Sequence, residues 1–195
     1  MRVELTAMPN NSFNASAHNG AFICEAGVIV AARRAALIRA FGILPCVNMT
    51  KIDYRDWTFD CDVESTRRAY ESILAGGVET CSCSGCRNFL AQRQLVFPEE
   101  VINLFGQLGI NYKRDAEIYH TARIESGLHL YGGWFHFIGN ILKQPDVPAK
   151  LNGHFTVDFI VSRSLAAESF GNQPLVQVEI TAEVPWILKE EKEPD

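Results

Sequence analysis

Three cysteines within six residues, Cys81-Ser82-Cys83-Ser84-Gly85-Cys86, are the chemically pointed feature of this 195-residue chain. Their spacing is C-x-C-x-x-C. A loop this short lets three soft sulfur ligands converge on one ion, and the intervening serines and glycine permit the turn. Zinc is the default metal for such a donor set, with Cys81, Cys83 and Cys86 as its ligands. A closed tetrahedral site needs a fourth ligand. No second CxxC or HxxxH pair lies nearby, so that ligand has to come from a distant histidine or from Cys61.

Other chemistries compete for the same residues. A helix predicted to start with Ser84 as its N-cap puts Cys86 in the first turn, where unsatisfied N–H groups and the helix dipole lower a thiol pKa. A thiolate there is a nucleophile. Cysteine hydrolases of the papain-like type set such a cysteine against an antiparallel sheet that supplies a histidine and then a polar orienting group. His129, His136 or His154 followed by Asp158 have that chain order. The enzymatic alternative is therefore Cys86, His136 and Asp158, with Cys83 a second choice of nucleophile. Cys83 and Cys86 also have the spacing of a redox pair, without its usual βαβ context. The plainest reading is that the cysteines are small buried hydrophobes.

Composition narrows the setting. Hydrophobic residues make up 47% of the chain and charged residues 21%, which places it with globular rather than disordered proteins. A net charge of −5, with no basic run, excludes the concentrated positive face that nucleic acid or an anionic membrane requires. Six cysteines are too few for a disulfide scaffold, and three of them are too crowded to bridge without strain. A reducing, cytoplasmic compartment is expected. Residues 1–48 contain no Asp, Lys, Trp or Tyr, whereas all three Trp and five Tyr follow Met49. Met49 is therefore read as the true start, residues 1–48 as an extension contributing little, and residues 49–195 as one domain. The apolar run from Ala21 to Ala32 carries Glu25 and is too short to cross a bilayer. Its arginines, Arg33, Arg34 and Arg39, follow it rather than precede it as in a secretory signal. A marginal helix is expected there.

The elements that must position the cysteines can be read from periodicity. Asp62 caps a helix predicted over 63–75, with Val63, Thr66, Tyr70, Ile73 and Leu74 on one stripe and Gly76-Gly77 as its stop. The helix after the cysteines runs to Val96 with Cys86, Phe89, Leu90 and Leu95 inward. Pro98 begins a third, with Glu99 and Glu100 in its first turn, Val101, Leu104, Phe105 and Leu108 inward, and Gly109 at its end. From Glu117 the period changes to two. Strands are predicted over 117–124, 128–142, 154–161 and 176–184, with a turn at Glu125-Ser126-Gly127 and a bulge or bend at Gly132-Gly133. Three short helices followed by about four antiparallel strands give an α+β fold with the helices on one face of the sheet. In the run from Tyr131 to Gly139, one face must be core. The other is covered, or it anchors a protein partner. The mixed-charge tail Lys189-Glu190-Glu191-Lys192-Glu193 reads as a solvated terminus.

Cys81-Ser82-Cys83-Ser84-Gly85-Cys86-Arg87-Asn88-Phe89, Leu108-Gly109-Ile110, the Tyr131 to Gly139 run and Val184-Pro185-Trp186-Ile187-Leu188 together resemble a family of bacterial proteins of no assigned activity. The resemblance runs from about Trp57 to Leu188. It implies a bacterial, cytoplasmic protein and carries no catalytic residue across. The leading expectation is a non-enzymatic interaction or structural module in which the cysteine segment, around zinc, fixes the junction of helices and sheet and the strands present a partner surface.

Overall fold

The aromatic run is the middle of a fifteen-residue strand, and everything else is arranged along it. The computed structural model describes residues 48–146, 149–151, 153–189 and 192–194. All belong to one compact unit, Cys46–Asp195. The expectations for residues 1–48 fall, Asn48 apart, outside the described residues. Seven strands are present: β1 (Thr50–Tyr54), β2 (Trp57–Cys61), β3 (Glu117–Arg123), β4 (His129–Lys143), β5 (Ala149–Leu151), β6 (Phe155–Val161) and β7 (Leu175–Val184). The helices are α1 (Val63–Glu71), α2 (Gly77–Thr80), α3 (Ser84–Val96) and α4 (Glu99–Leu108), with one 3-10 turn at Glu168–Phe170. Among these, no helix is long and apolar enough to cross a membrane.

The fold is α+β, with a larger sheet than the sequence suggests. Its order is β1-β2-β4-β7-β6-β5, with β3 also on β4, and each pairing is antiparallel. The hairpin β1–β2 precedes the helices. Ile52, Tyr54, Trp57, Phe59 and Cys61 are buried there, while Lys51 and Asp53 point to solvent. Its two-residue turn, Arg55-Asp56, lacks the Asn-Gly or Asp-Gly signature of such hairpins, and Arg55 takes a positive φ of 51°. That is why the hairpin was not legible.

One edge of β4 is paired with β7 from His129 to Ile138. Two strands share the other edge. β3 takes the first part, ending at Glu117 opposite Trp134, and β2 takes the last, starting at Cys61 opposite Gly139. The stretch between would leave backbone groups buried and unpaired, and helix α1 supplies the partners. Asp62 N donates to Ile138 O (2.9 Å), and Ile138 N donates to Thr66 Oγ1 (2.9 Å). Tyr70 Oη donates to His136 O (2.9 Å) and accepts from His136 N (3.1 Å). Thr66 and Tyr70, four residues apart, sit on one helix face, so two hydroxyls replace a missing strand.

Helices α3 and α4 lie on the sheet face that carries Tyr131 and Phe135, where Phe89 meets Tyr131 and Phe105 meets Phe135 at 5.4 and 4.9 Å between ring centres. Helix α4 buries Val101, Leu104, Phe105 and Leu108 as expected, and Gly109 ends it. The other two helices correct the reading. Helix α1 stops at Glu71, leaving Leu74 91% exposed. Helix α3 buries Asn88 and Gln92 beside Cys86 and Phe89, while Leu95 is 88% exposed. The expected bulge at Gly132-Gly133 lies instead in β3, between His120 and Ala122. The glycines serve close approach: a Cβ on Gly132 would stand 2.5 Å from Tyr119 Cζ, and one on Gly133 2.6 Å from Glu117 O.

Replacing Tyr70 by Phe removes the hydroxyl that serves both His136 backbone groups and leaves them buried without partners. The expected loss is about 1–3 kcal/mol in urea denaturation, with an unchanged slope.

Candidate metal centre

The cysteine loop is held at both ends before its sulfurs come into play. On the upstream side, α2 docks on residues 113–116: Gly77 N donates to Asp115 O (3.0 Å) and Val78 N to Asp115 Oδ2 (2.8 Å). Glu79 accepts from Gly76 N (3.0 Å), Arg93 (3.0 Å) and Arg114 (2.6 Å). The Gly76 bond first, then the two guanidinium groups, hold its carboxyl below the usual range. Burial instead raises the pKa of Asp115, the nearby carboxyl that is only 4% exposed.

Downstream, two distant stretches converge on the first turns of α3. Tyr131 Oη donates to Gly85 O (3.0 Å). Asn88 donates to Tyr131 Oη (3.2 Å) and Pro185 O (3.0 Å), and accepts from Ile187 N (2.8 Å). Gln92 donates to the same Pro185 O (2.8 Å). The motif stretches at 81–89, 131–139 and 184–188 are thus one hydrogen-bonded unit. The two polar side chains on the inner face of α3 satisfy the main chain that leaves β7, which is why Asn and Gln displace leucine there.

Between these anchors the three sulfurs lie within 4.8 Å of one another. Tetrahedral thiolates at about 2.3 Å from a zinc ion stand about 3.8 Å apart, so the cluster has the right dimensions. Cys81 and Cys83 are exposed, and their Sγ atoms are 3.3 Å apart. Cys83, not Ser84, is the N-cap of α3, and its sulfur accepts from Cys86 N (3.4 Å). Cys86 occupies the first turn as expected, but it is buried, and its thiol donates to Ile118 O on β3 (3.7 Å). The thiols are therefore poised differently. A hydrogen bond from the Cys83 backbone, then its thiol, lowers the pKa of Cys81. Burial, then the neighbouring thiols, raises that of Cys86. Left to itself, Cys86 stays protonated.

An open cleft of about 580 Å³ adjoins the cluster, with Glu117, Tyr119 and His120 of β3 on its far wall. Gly85 makes the approach possible, since a Cβ there would come within 2.8 Å of His120 Cβ and 4.0 Å of Cys83 Sγ. Behind His120 runs a chain of polar contacts. His120 Nε2 lies 2.8 Å from His129 Nδ1, and His129 Nε2 lies 2.9 Å from a Glu193 oxygen that Arg123 also reaches at 2.9 Å. His129 is fully buried against Trp186. Burial first, then His129, lowers the pKa of His120. Glu193 is exposed, as a solvated terminus requires, yet it is tied to His129 and Arg123. A carboxylate in a mixed-charge run gives no pattern by which this could be anticipated.

The other residues singled out by spacing are elsewhere. His136 packs on Phe170 (6.0 Å) and lines a separate cavity of about 230 Å³ with Tyr70 and Asp115. Burial pushes its pKa down to about 4. Asp158 lies on β6 opposite Glu179, its carboxylate accepting from Phe159 N (2.9 Å). No hydrogen bond or shared cavity joins Cys86, His136 and Asp158 among the described residues, so the hydrolase triad is not assembled. His154 is exposed and paired with Glu183 (2.8 Å). Cys61 is buried in β2 opposite Gly139, its pKa pushed up to about 12 by burial, and it does not join the cluster. The aromatic run is largely covered. Tyr131, Phe135 and Phe137 are core, His136 and Ile138 are buried on the opposite face, and Trp134 is half-buried and bonded to Ser164 O (3.1 Å).

No family model, curated protein or solved structure matches this chain.

Two outcomes follow from these environments. In chelator-treated protein, alkylation mapped by peptide mass spectrometry should reach Cys81 before Cys86, with Cys86 protected until unfolding. His136 has a folded pKa near 4 against 6.5 in the unfolded chain, so between those values the unfolded state binds more protons and stability falls as pH falls. Denaturation midpoints across that window should therefore drop in the native chain, and a His136→Asn variant should lose that part of the slope.

Proposed function

We propose that this chain is a non-enzymatic structural module in which Cys81, Cys83 and Cys86 hold one zinc ion. The observation that carries the reading is the convergence of the three sulfurs within 4.8 Å on a loop anchored at both ends. Metal supplies what the fold leaves undone. Cys86 is buried with its proton retained, and a bound cation replaces that proton and holds the thiolate. The exposed Cys81-Ser82-Cys83 segment is then tied to α3 through Cys86 and the Cys83 cap. Because Cys86 already touches β3, the ion clamps loop, helix and sheet edge together. The bacterial family with the CxCxxCRNF, YGGWFHFxG and PW-x-L stretches belongs to this proposal, since those stretches are the ones that build the anchored loop.

Protein purified without a polyhistidine tag should contain about one zinc per chain by elemental analysis. Its removal by a chelator should lower the thermal midpoint and free Cys81 and Cys83, with Cys86 titrating only on unfolding. Cys86→Ser should reduce bound zinc by at least about tenfold. Metal-free protein with all its thiols freely titrating would contradict the reading.

A further inference from the structure

Three thiolates leave one position of a tetrahedral ion open. We infer that His120 fills it through Nδ1, held by a His129–Glu193 relay, so that the centre is a closed three-sulfur, one-imidazole site. This rests on the three-thiolate reading above and goes beyond it by naming the group that completes the ion and the groups that aim it.

The relay orders its hydrogens from the Glu193 end. The Glu193 carboxylate is an acceptor, so His129 Nε2, 2.9 Å away, carries the hydrogen. In the tautomer that donates to Glu193, His129 offers Nδ1 as the acceptor. His120 Nε2, 2.8 Å from that atom, must donate. His120 is thereby held as the tautomer with hydrogen on Nε2 and its lone pair on Nδ1. A metal-binding histidine has this form: one nitrogen free to coordinate, the other donating to an oriented acceptor.

Among the described residues the remaining candidates are committed elsewhere. His129 has both nitrogens engaged, His136 belongs to another cavity, His154 pairs with Glu183, and Cys61 lies in β2. His120 stands on the wall of the cleft that the cysteines line, its Cβ and Cys83 Sγ flanking Gly85. It lies outside the compact sulfur cluster, so closure takes a movement. The exposed Cys81-Ser82-Cys83 loop is the side free to make it, since Cys86 and His129 are buried.

Cobalt(II) added to the chelator-treated full-length chain reports both donor type and geometry. The native chain should give intense tetrahedral ligand-field bands with sulfur-to-cobalt charge transfer. His120→Ala should weaken binding by at least about tenfold and alter the ligand-field bands, His129→Gln should weaken it about 10–100-fold with the charge transfer kept, and His120→Cys should restore a tetrahedral spectrum with added charge transfer. In the unmutated chain, nitrogen NMR should show zinc moving the His120 Nδ1 resonance while Nε2 stays protonated. If His120→Ala matches the native chain in spectrum and affinity, or the His120 nitrogens do not move, the fourth ligand is water or another group and the inference fails with the three-thiolate site intact. If the native chain shows no charge transfer and behaves as Cys81→Ser does, the three-thiolate reading fails as well.

Discussion

A buried strand edge cannot be left half paired, and the fold is organised around that requirement at β4. Its second edge is too long for either neighbour, so β3 and β2 each take a part and the stretch between them is closed by the Thr66 and Tyr70 hydroxyls and by Asp62 N. Each unmade bond of this kind would cost about 1–3 kcal/mol. Filling the gap with a helix pins α1 directly after β2. It also fixes where β3 begins, with Ala116 N donating to Trp134 O (3.0 Å) just before the strand. The segment from Lys113 to Ala116 is thereby placed as the platform on which α2 and the cysteine loop rest.

From that platform the candidate centre follows with little freedom. Asp115 and Glu79 hold the chain just before Cys81, while Tyr131 and Asn88 hold it just after Cys83. The cysteine loop itself keeps two sulfurs exposed. An anchored, buried third sulfur opposite two exposed ones suits a site that assembles when its ion arrives, with the cation replacing the proton that burial otherwise keeps on Cys86. The histidines follow the same division. His129 is rigid and buried, and His120 faces the cleft.

How much of this the sequence disclosed depended on whether a feature was periodic. The amphipathic α4, the Asp62 cap, the alternating β6 and β7 and the α+β class were legible because burial imposes a repeat on them. The cysteine cluster was legible from spacing, since sulfur ligands so close together have few other uses. The inner face of α3 was misread because Asn88 and Gln92 are buried for hydrogen bonding to Pro185, and polar residues carry no hydrophobic period. The β1–β2 hairpin was missed for want of a turn signature, and Glu193 because a contact across 64 residues leaves no local trace. His136 lines another cavity, whereas His120 lines the cleft of the cysteines. Chain order cannot say which histidine a strand places beside the cysteines, and the register of β3 on β4 decides it.

Zinc K-edge X-ray absorption on untagged protein, purified without chelator, tests the centre most directly. It counts sulfur neighbours without altering a residue. Three sulfurs at about 2.3 Å with one nitrogen at about 2.0 Å is the shell expected here. A shell of oxygen and nitrogen alone would show that the ion, if any, is held elsewhere and that the three cysteines are not its ligands.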